Sequence, residues 1–134
     1  MYATNNAAML QKYQSESILT ASPMELVVML YEGLVKQIKL ADIFIEQNSF
    51  ERANQSLNKA QDIVAELLRS LDFHYSIANE LMKLYDYMLQ ELMYINLHKD
   101  RERIPDLLEI VVTLKDAWST ARTSADSRAF AIEE

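Results

Sequence analysis

The chain has no cysteine, one glycine and two prolines among its 134 residues. Without cysteine there is no disulfide, no thiolate zinc site and no thiol nucleophile. That suits a reducing compartment. Sheet proteins need frequent turns, and glycine supplies the positive φ that tight hairpins demand. A single glycine therefore all but excludes a hairpin-rich fold, and it leaves no phosphate-cradling loop. Positive charge is also scarce: 13 Lys and Arg stand against 20 Asp and Glu, a formal net charge of -7. No basic cluster offsets it, so nucleic acid and anionic membrane surfaces are repelled. No uncharged apolar run approaches a membrane span, and membrane insertion is not expected. The opening residues Met1-Tyr2-Ala3-Thr4-Asn5-Asn6 carry neither the basic nor the apolar part of a signal peptide. The expected location is cytoplasmic.

What remains is ordinary globular material. Half of the residues are hydrophobic and a quarter are charged, in a length that suits one domain with a real core. The expected organisation is a single domain over 1–134: an N-terminal arm over 1–20, a helical bundle over 22–121 and a flexible tail over 122–134. In the arm, Ala7, Ala8, Met9, Leu10, Tyr13, Ile18 and Leu19 are scattered among Asn, Gln and Ser. They make no sustained apolar face, which predicts a mobile arm or short cap helix docked on the body.

Ser22-Pro23-Met24-Glu25 is a helix start. Ser22 can cap free amides, Pro23 suits the first helical position, and Glu25 completes a capping box. The first helix is predicted to run to about Gln47. Its polar strip holds Glu25, Glu32, Lys36, Lys39, Asp42 and Glu46, and most of the rest is apolar. Asn48-Ser49 interrupts the pattern, with Ser49 as the next cap. Phe50, Ala53, Leu57, Ala60, Val64, Leu67 and Leu71 then recur by threes and fours, the narrow seam of a bundle helix. After a connection over 71–76, a third helix reaches about Asn96. One seam there is Ile77, Leu81, Leu84, Met88, Leu92 and Ile95. A second is Ala78, Met82, Tyr85, Leu89 and Met93. A fourth helix starts between Asp100 and Pro105, with Ile104, Leu107, Val111, Leu114, Trp118 and Ala121 as its seam. Four helices of about 20 residues, each about 30 Å long, fold most simply as an all-α, antiparallel up-down bundle.

Sites for chemistry are few. A di-iron bundle needs Glu-x-x-His on two helices. His74 and His98 have Leu71 and Ile95 three residues before them, and both fall at helix ends. Two solvated surface histidines are expected, with no metal site, no cofactor and no catalytic residue. Asp42 with Glu46, and Asp62 with Glu66, sit at spacings that could share a cation, but a polar helix face is their ordinary role. Tyr85 lies in a seam and is expected in the core with its hydroxyl reaching outward. Tyr87 and Tyr94 share a polar face, either as plain surface or as a binding contact. The first and third helices are apolar over a wider arc than a bundle helix needs. That excess is either a thick core covered by the arm or a groove for a partner segment. Met24, Met29, Met82, Met88 and Met93 lie on these two helices, and Met suits both uses.

One ordered set of short motifs resembles a known family. Tyr13, Ile18-Leu19-Thr20-Ala21-Ser22-Pro23, Leu26 and Met29-Leu30-Tyr31-Glu32-Gly33 resemble the opening signature of the flagellar secretion chaperone family FliS. Lys59-Ala60-Gln61-Asp62-Ile63, Leu84-Tyr85-Asp86-Tyr87-Met88, Asn96 with Asp100, and Ala117-Trp118 follow in order, so the resemblance covers about residues 10–120. It implies a four-helix bundle with an N-terminal cap and no catalysis. It implies binding of the C-terminal segment of flagellin in the cytosol, protection from premature polymerisation, and delivery to the flagellar type III export apparatus. The export gate and other flagellar regulators are further partners it admits, and a monomer or weak homodimer is expected. Tyr13, Ile18, Leu19, Pro23, Met29, Tyr31, Tyr87 and Tyr94 are the expected partner contacts. Ser22, Gly33 and Trp118 are expected to be structural, Gly33 by allowing close helix approach. Two places depart from the family pattern: Ile95 where alanine is usual, and Phe73-His74-Tyr75 in place of a short polar turn. The rival expectations are a self-associating structural bundle and a metal or phosphotransfer bundle.

Overall fold

The computed structural model describes residues 23–133, with side chains as far as residue 121. Helix α1 spans Pro23–Glu46, α2 Phe50–Arg69, α3 Ile77–His98 and α4 Ile104–Glu133, and a 3-10 turn over Arg101–Arg103 precedes α4. There is no β-strand among the described residues. The helices run up-down-up-down. α1 packs between α2 and α4, α3 lies beside α2, and α3 closes only loosely against α4. α1 and α3 therefore face each other diagonally.

Local chemistry explains most boundaries. α1 begins at Pro23, whose fixed φ and missing N–H fit the first helical position. It ends in a Schellman turn: Asn48 adopts a left-handed φ of 57°, its amide donates to Ile45, and the Ser49 amide donates to Phe44. Ser49 occupies the cap position of α2, but its side chain makes no capping bond. Asp100 does cap: its carboxylate accepts from the Glu102 amide at 3.0 Å. Ser22 and the capping box it was expected to form lie outside the described residues, as do Tyr13, Ile18 and Leu19.

The backbone of α4 is helical past the last seam position, Ala121, to Glu133. Beyond Pro105 the sequence has no glycine or proline to stop a helix, and it is rich in alanine. Loss of an apolar pattern removes packing, not helical propensity.

The core is one cluster fed by all four helices, including Leu34, Ile38, Leu57, Val64, Met88, Leu92, Ile104 and Val111. The α2 seam is buried as read from Ala53 to Leu67, whereas Phe50 is exposed. On α3 neither predicted seam is the core face alone. Leu81, Met88, Leu92 and Ile95 come from one, Ala78 and Tyr85 from the other, while Ile77, Met82 and Met93 are exposed. The strip midway between the two seams is what faces the bundle axis. Ile95, the enlarged position, is fully buried.

The diagonal pair α1 and α3 meets through two tyrosines. The Tyr31 and Tyr85 hydroxyls are hydrogen-bonded at 2.6 Å, with ring centroids 6.4 Å apart. The half-buried Trp118 packs against the same core cluster. Burial raises the pKa of both tyrosines above the ordinary value. Two expectations are corrected here. The Tyr85 hydroxyl does not reach outward. Tyr31 has no exposed surface, so it lies in the core rather than on a contact surface.

Candidate functional site

The apolar excess of α1 is resolved into two strips. One is the core strip of Val28, Tyr31, Leu34, Val35 and Ile38. The other flanks it on the side of α2 and stays half-buried. Where that flank meets α2 it forms a groove of about 540 Å³, lined by Pro23, Leu26, Val27, Met29, Leu30 and Gly33 from α1 and by Ile63, Glu66 and Ser70 from α2. The lining is apolar along its length, with Glu66 and Ser70 at one edge. Glu66 is held there by Arg69, whose guanidinium nitrogen lies 2.6 Å from its carboxylate.

Gly33 lies in the interior of α1 with no positive φ. A glycine there weakens a helix by about 0.8–1.0 kcal/mol relative to alanine. A Cβ at this position would stand 3.4 Å from Ile63 Cδ1, an ordinary van der Waals contact. The expected reason for this glycine, close approach of two helices, is therefore not what the packing requires.

The tyrosines of α3 lie elsewhere. Tyr94 is sandwiched by its own chain: the Arg103 guanidinium carbon is 3.6 Å from its ring centroid, and the His98 ring centroid is 4.2 Å away. Arg103 is in turn paired with Glu91 at 3.1 Å. Tyr87, on the same flank of α3, keeps 44% of its surface exposed. This flank faces the turn before α4, across the bundle from the α1–α2 groove. Of the predicted contacts, then, Pro23 and Met29 come together in the groove, Tyr87 and Tyr94 form a separate patch, and Tyr31 joins neither.

Other surfaces are simpler. Asp42 and Glu46 hold Arg101, at 2.7 Å and 3.5 Å, and so pin the α3–α4 connection to the end of α1. His74 is exposed and bonded to Asp72 at 2.7 Å, and its amide and ring lower the Asp72 pKa. Phe73, Tyr75 and Ile77 are exposed at the end of the bundle where α2 finishes. Between α2 and α3, Asn96 donates to Asn54 at 2.8 Å, beside exposed Met93 and Leu97. Among the described residues no group of three His, Asp or Glu side chains could hold a metal ion. No described helix is long and apolar enough to cross a membrane.

Sequence reading missed the α2 wall of the groove. Ile63 precedes the seam residue Val64, and an apolar residue beside a narrow seam was the available signal. Leu26 and Leu30 were visible only as part of a wide arc.

Comparison with known proteins gives a consistent result. The sequence profile described as "Flagellar protein FliS" matches residues 5–125. A relative from Bacillus subtilis, named flagellar secretion chaperone FliS, is 38% identical over 109 residues, covering 81% of this chain and 82% of its own. The Escherichia coli protein of the same name is 30% identical over 128 residues, covering 92% and 94%. A solved structure described as a flagellar chaperone from bacteria superposes with a TM-score of 0.73, covering 89% of this chain and 98% of its own. At 17% identity, that structure speaks to the fold alone.

Proposed function

The chain belongs to the FliS family of flagellar proteins, and on that premise we propose that it is a cytoplasmic export chaperone for flagellin. It captures the C-terminal segment of flagellin, keeps that segment from polymerising prematurely, and delivers it to the flagellar type III export apparatus. The observation that supports this reading is the α1–α2 groove, a mostly apolar channel that stays open to solvent beside the core. An amphipathic helix can lay its apolar face into such a groove and hold by burial alone. Each large aliphatic side chain that leaves water contributes about 1.5–3 kcal/mol. Ordering a disordered segment costs about 2–5 kcal/mol of that gain. Several such side chains are therefore needed before burial outweighs the costs of ordering and association, which keeps the binding reversible. No nucleotide, metal or covalent step enters.

On this reading Pro23 and Met29 border the groove, and Tyr13, Ile18 and Leu19 of the preceding arm join them as contacts. Tyr87 and Tyr94 belong to a second contact patch, which a segment reaches only by passing around the bundle. The export gate and flagellar regulators are further partners.

The test is circular dichroism of the flagellin C-terminal segment mixed with this protein at micromolar concentration. The segment gains helix beyond the sum of the separate spectra. A segment that stays disordered while the protein remains folded refutes the proposal. One observation favours a second reading, a self-associating bundle: Met82, Met93 and Leu97 are exposed on one flank of α3. Sedimentation distinguishes them, since a tight dimer indifferent to flagellin supports the second.

A further inference from the structure

The chain has one glycine, and it stands in the middle of α1, where helices least tolerate it. Three ordinary reasons for a glycine fail here. Its φ is not positive, so no turn or left-handed residue is needed. Added Cβ contact with Ile63 at 3.4 Å is normal, so the approach of α1 to α2 does not require it. It neither ends nor interrupts the helix, which continues to Glu46. What distinguishes the position is that it lines the groove, between Leu30 and Met29 on one helix and Ile63 on the other.

We infer that Gly33 is a specificity-determining residue of the groove: its missing side chain opens a hole that receives one large apolar side chain from the captured helix. The inference rests on the reading of the groove as the capture site. Knobs of one helix enter holes formed by residues of the facing helices, and the position without a side chain at Gly33 is bordered by the apolar Met29, Leu30 and Ile63. Its occupant is a Leu, Ile, Met or Phe on an amphipathic helix. A polar or charged residue there would lose its water without gaining a partner. The helix of this protein is weakened locally so that the captured helix can seat closely.

This makes stability and binding move in opposite directions. Gly33→Ala restores helical propensity at a site with room for a methyl group, so the thermal midpoint of the full chain rises by about 2–4 °C. The same methyl group occupies the hole, and affinity for the flagellin C-terminal segment falls about five- to tenfold. Gly33→Leu fills the hole and weakens binding by more than about a hundredfold. Lys36→Ala, one turn along on the exposed face, leaves affinity unchanged.

The experiment is calorimetric titration of each full-length variant with that segment, paired with thermal unfolding. An alanine scan of the segment's large apolar residues adds the decisive control. Truncating the side chain that fills the hole makes the segment insensitive to Gly33→Ala, whereas truncation elsewhere preserves the five- to tenfold difference. Gly33→Ala binding as tightly as the parent overturns the inference, as does a Gly33→Ala variant whose midpoint and affinity fall together. Those outcomes leave capture by the groove standing. Failure of the parent chain to bind the segment instead overturns the capture reading, and this inference with it.

Discussion

Removing one hydroxyl from the Tyr31–Tyr85 pair separates the value of a hydrogen bond from the cost of orphaning a buried group. Both rings are almost wholly buried, and the 2.6 Å bond joins diagonal helices through the middle of the core. In Tyr31→Phe the Tyr85 hydroxyl is left buried without its partner, for a cost of about 2 kcal/mol. In Tyr85→Phe the Tyr31 hydroxyl is orphaned in the same way, and the cost is again about 2 kcal/mol. The double variant leaves no phenolic hydroxyl in the core. No buried hydroxyl is then left unpaired, so about 1 kcal/mol is lost rather than the sum of about 4. The coupling is then about 3 kcal/mol. Urea unfolding of the four proteins measures it, and thermal midpoints should fall by about 4 °C per kcal/mol for a chain of this size. Additive losses would show that the hydroxyls act independently, which refutes the diagonal latch.

Alkaline pH tests the same pair. Burial raises both tyrosines above their unfolded value, so the folded chain holds protons that the unfolded chain releases near pH 10. Their contribution to stability is complete below about pH 10 and is lost as pH rises further. The slope of stability against pH should flatten there in the Tyr31→Phe, Tyr85→Phe double variant. Leu30→Asp, which places a charge in the groove, should weaken capture of the flagellin segment by more than about a hundredfold in titration, while circular dichroism still shows a helical bundle. Arg101→Ala removes the exposed ion pairs to Asp42 and Glu46 and should lower stability by less than about 1 kcal/mol in urea unfolding.

Much of this fold could be read before any coordinates. One glycine ruled out hairpins, and the threes-and-fours spacing of Leu57, Val64 and Leu67 placed the α2 core strip correctly. The rest failed for physical reasons. A narrow seam shows which way a helix faces, but a wide apolar arc does not. The arc of α1 does not reveal that Tyr31 lies at the centre of the core, and the two apolar seams of α3 do not reveal that its core strip runs between them. The helical backbone of α4 continues beyond the seam that ends at Ala121, where the sequence offers no stop signal. The groove was half legible. Its α1 wall lay within the excess arc, but its α2 wall depends on where Ile63 points once the helices pack.

The central claim is that the α1–α2 groove captures the C-terminal segment of flagellin. Its most direct test is calorimetric titration of the two at several temperatures, repeated with Leu30→Asp. The account predicts saturable one-to-one binding with a negative heat-capacity change, the mark of buried apolar surface, and loss of that signal in the variant. No heat with the parent chain, or equal binding by the Leu30→Asp variant, would contradict it.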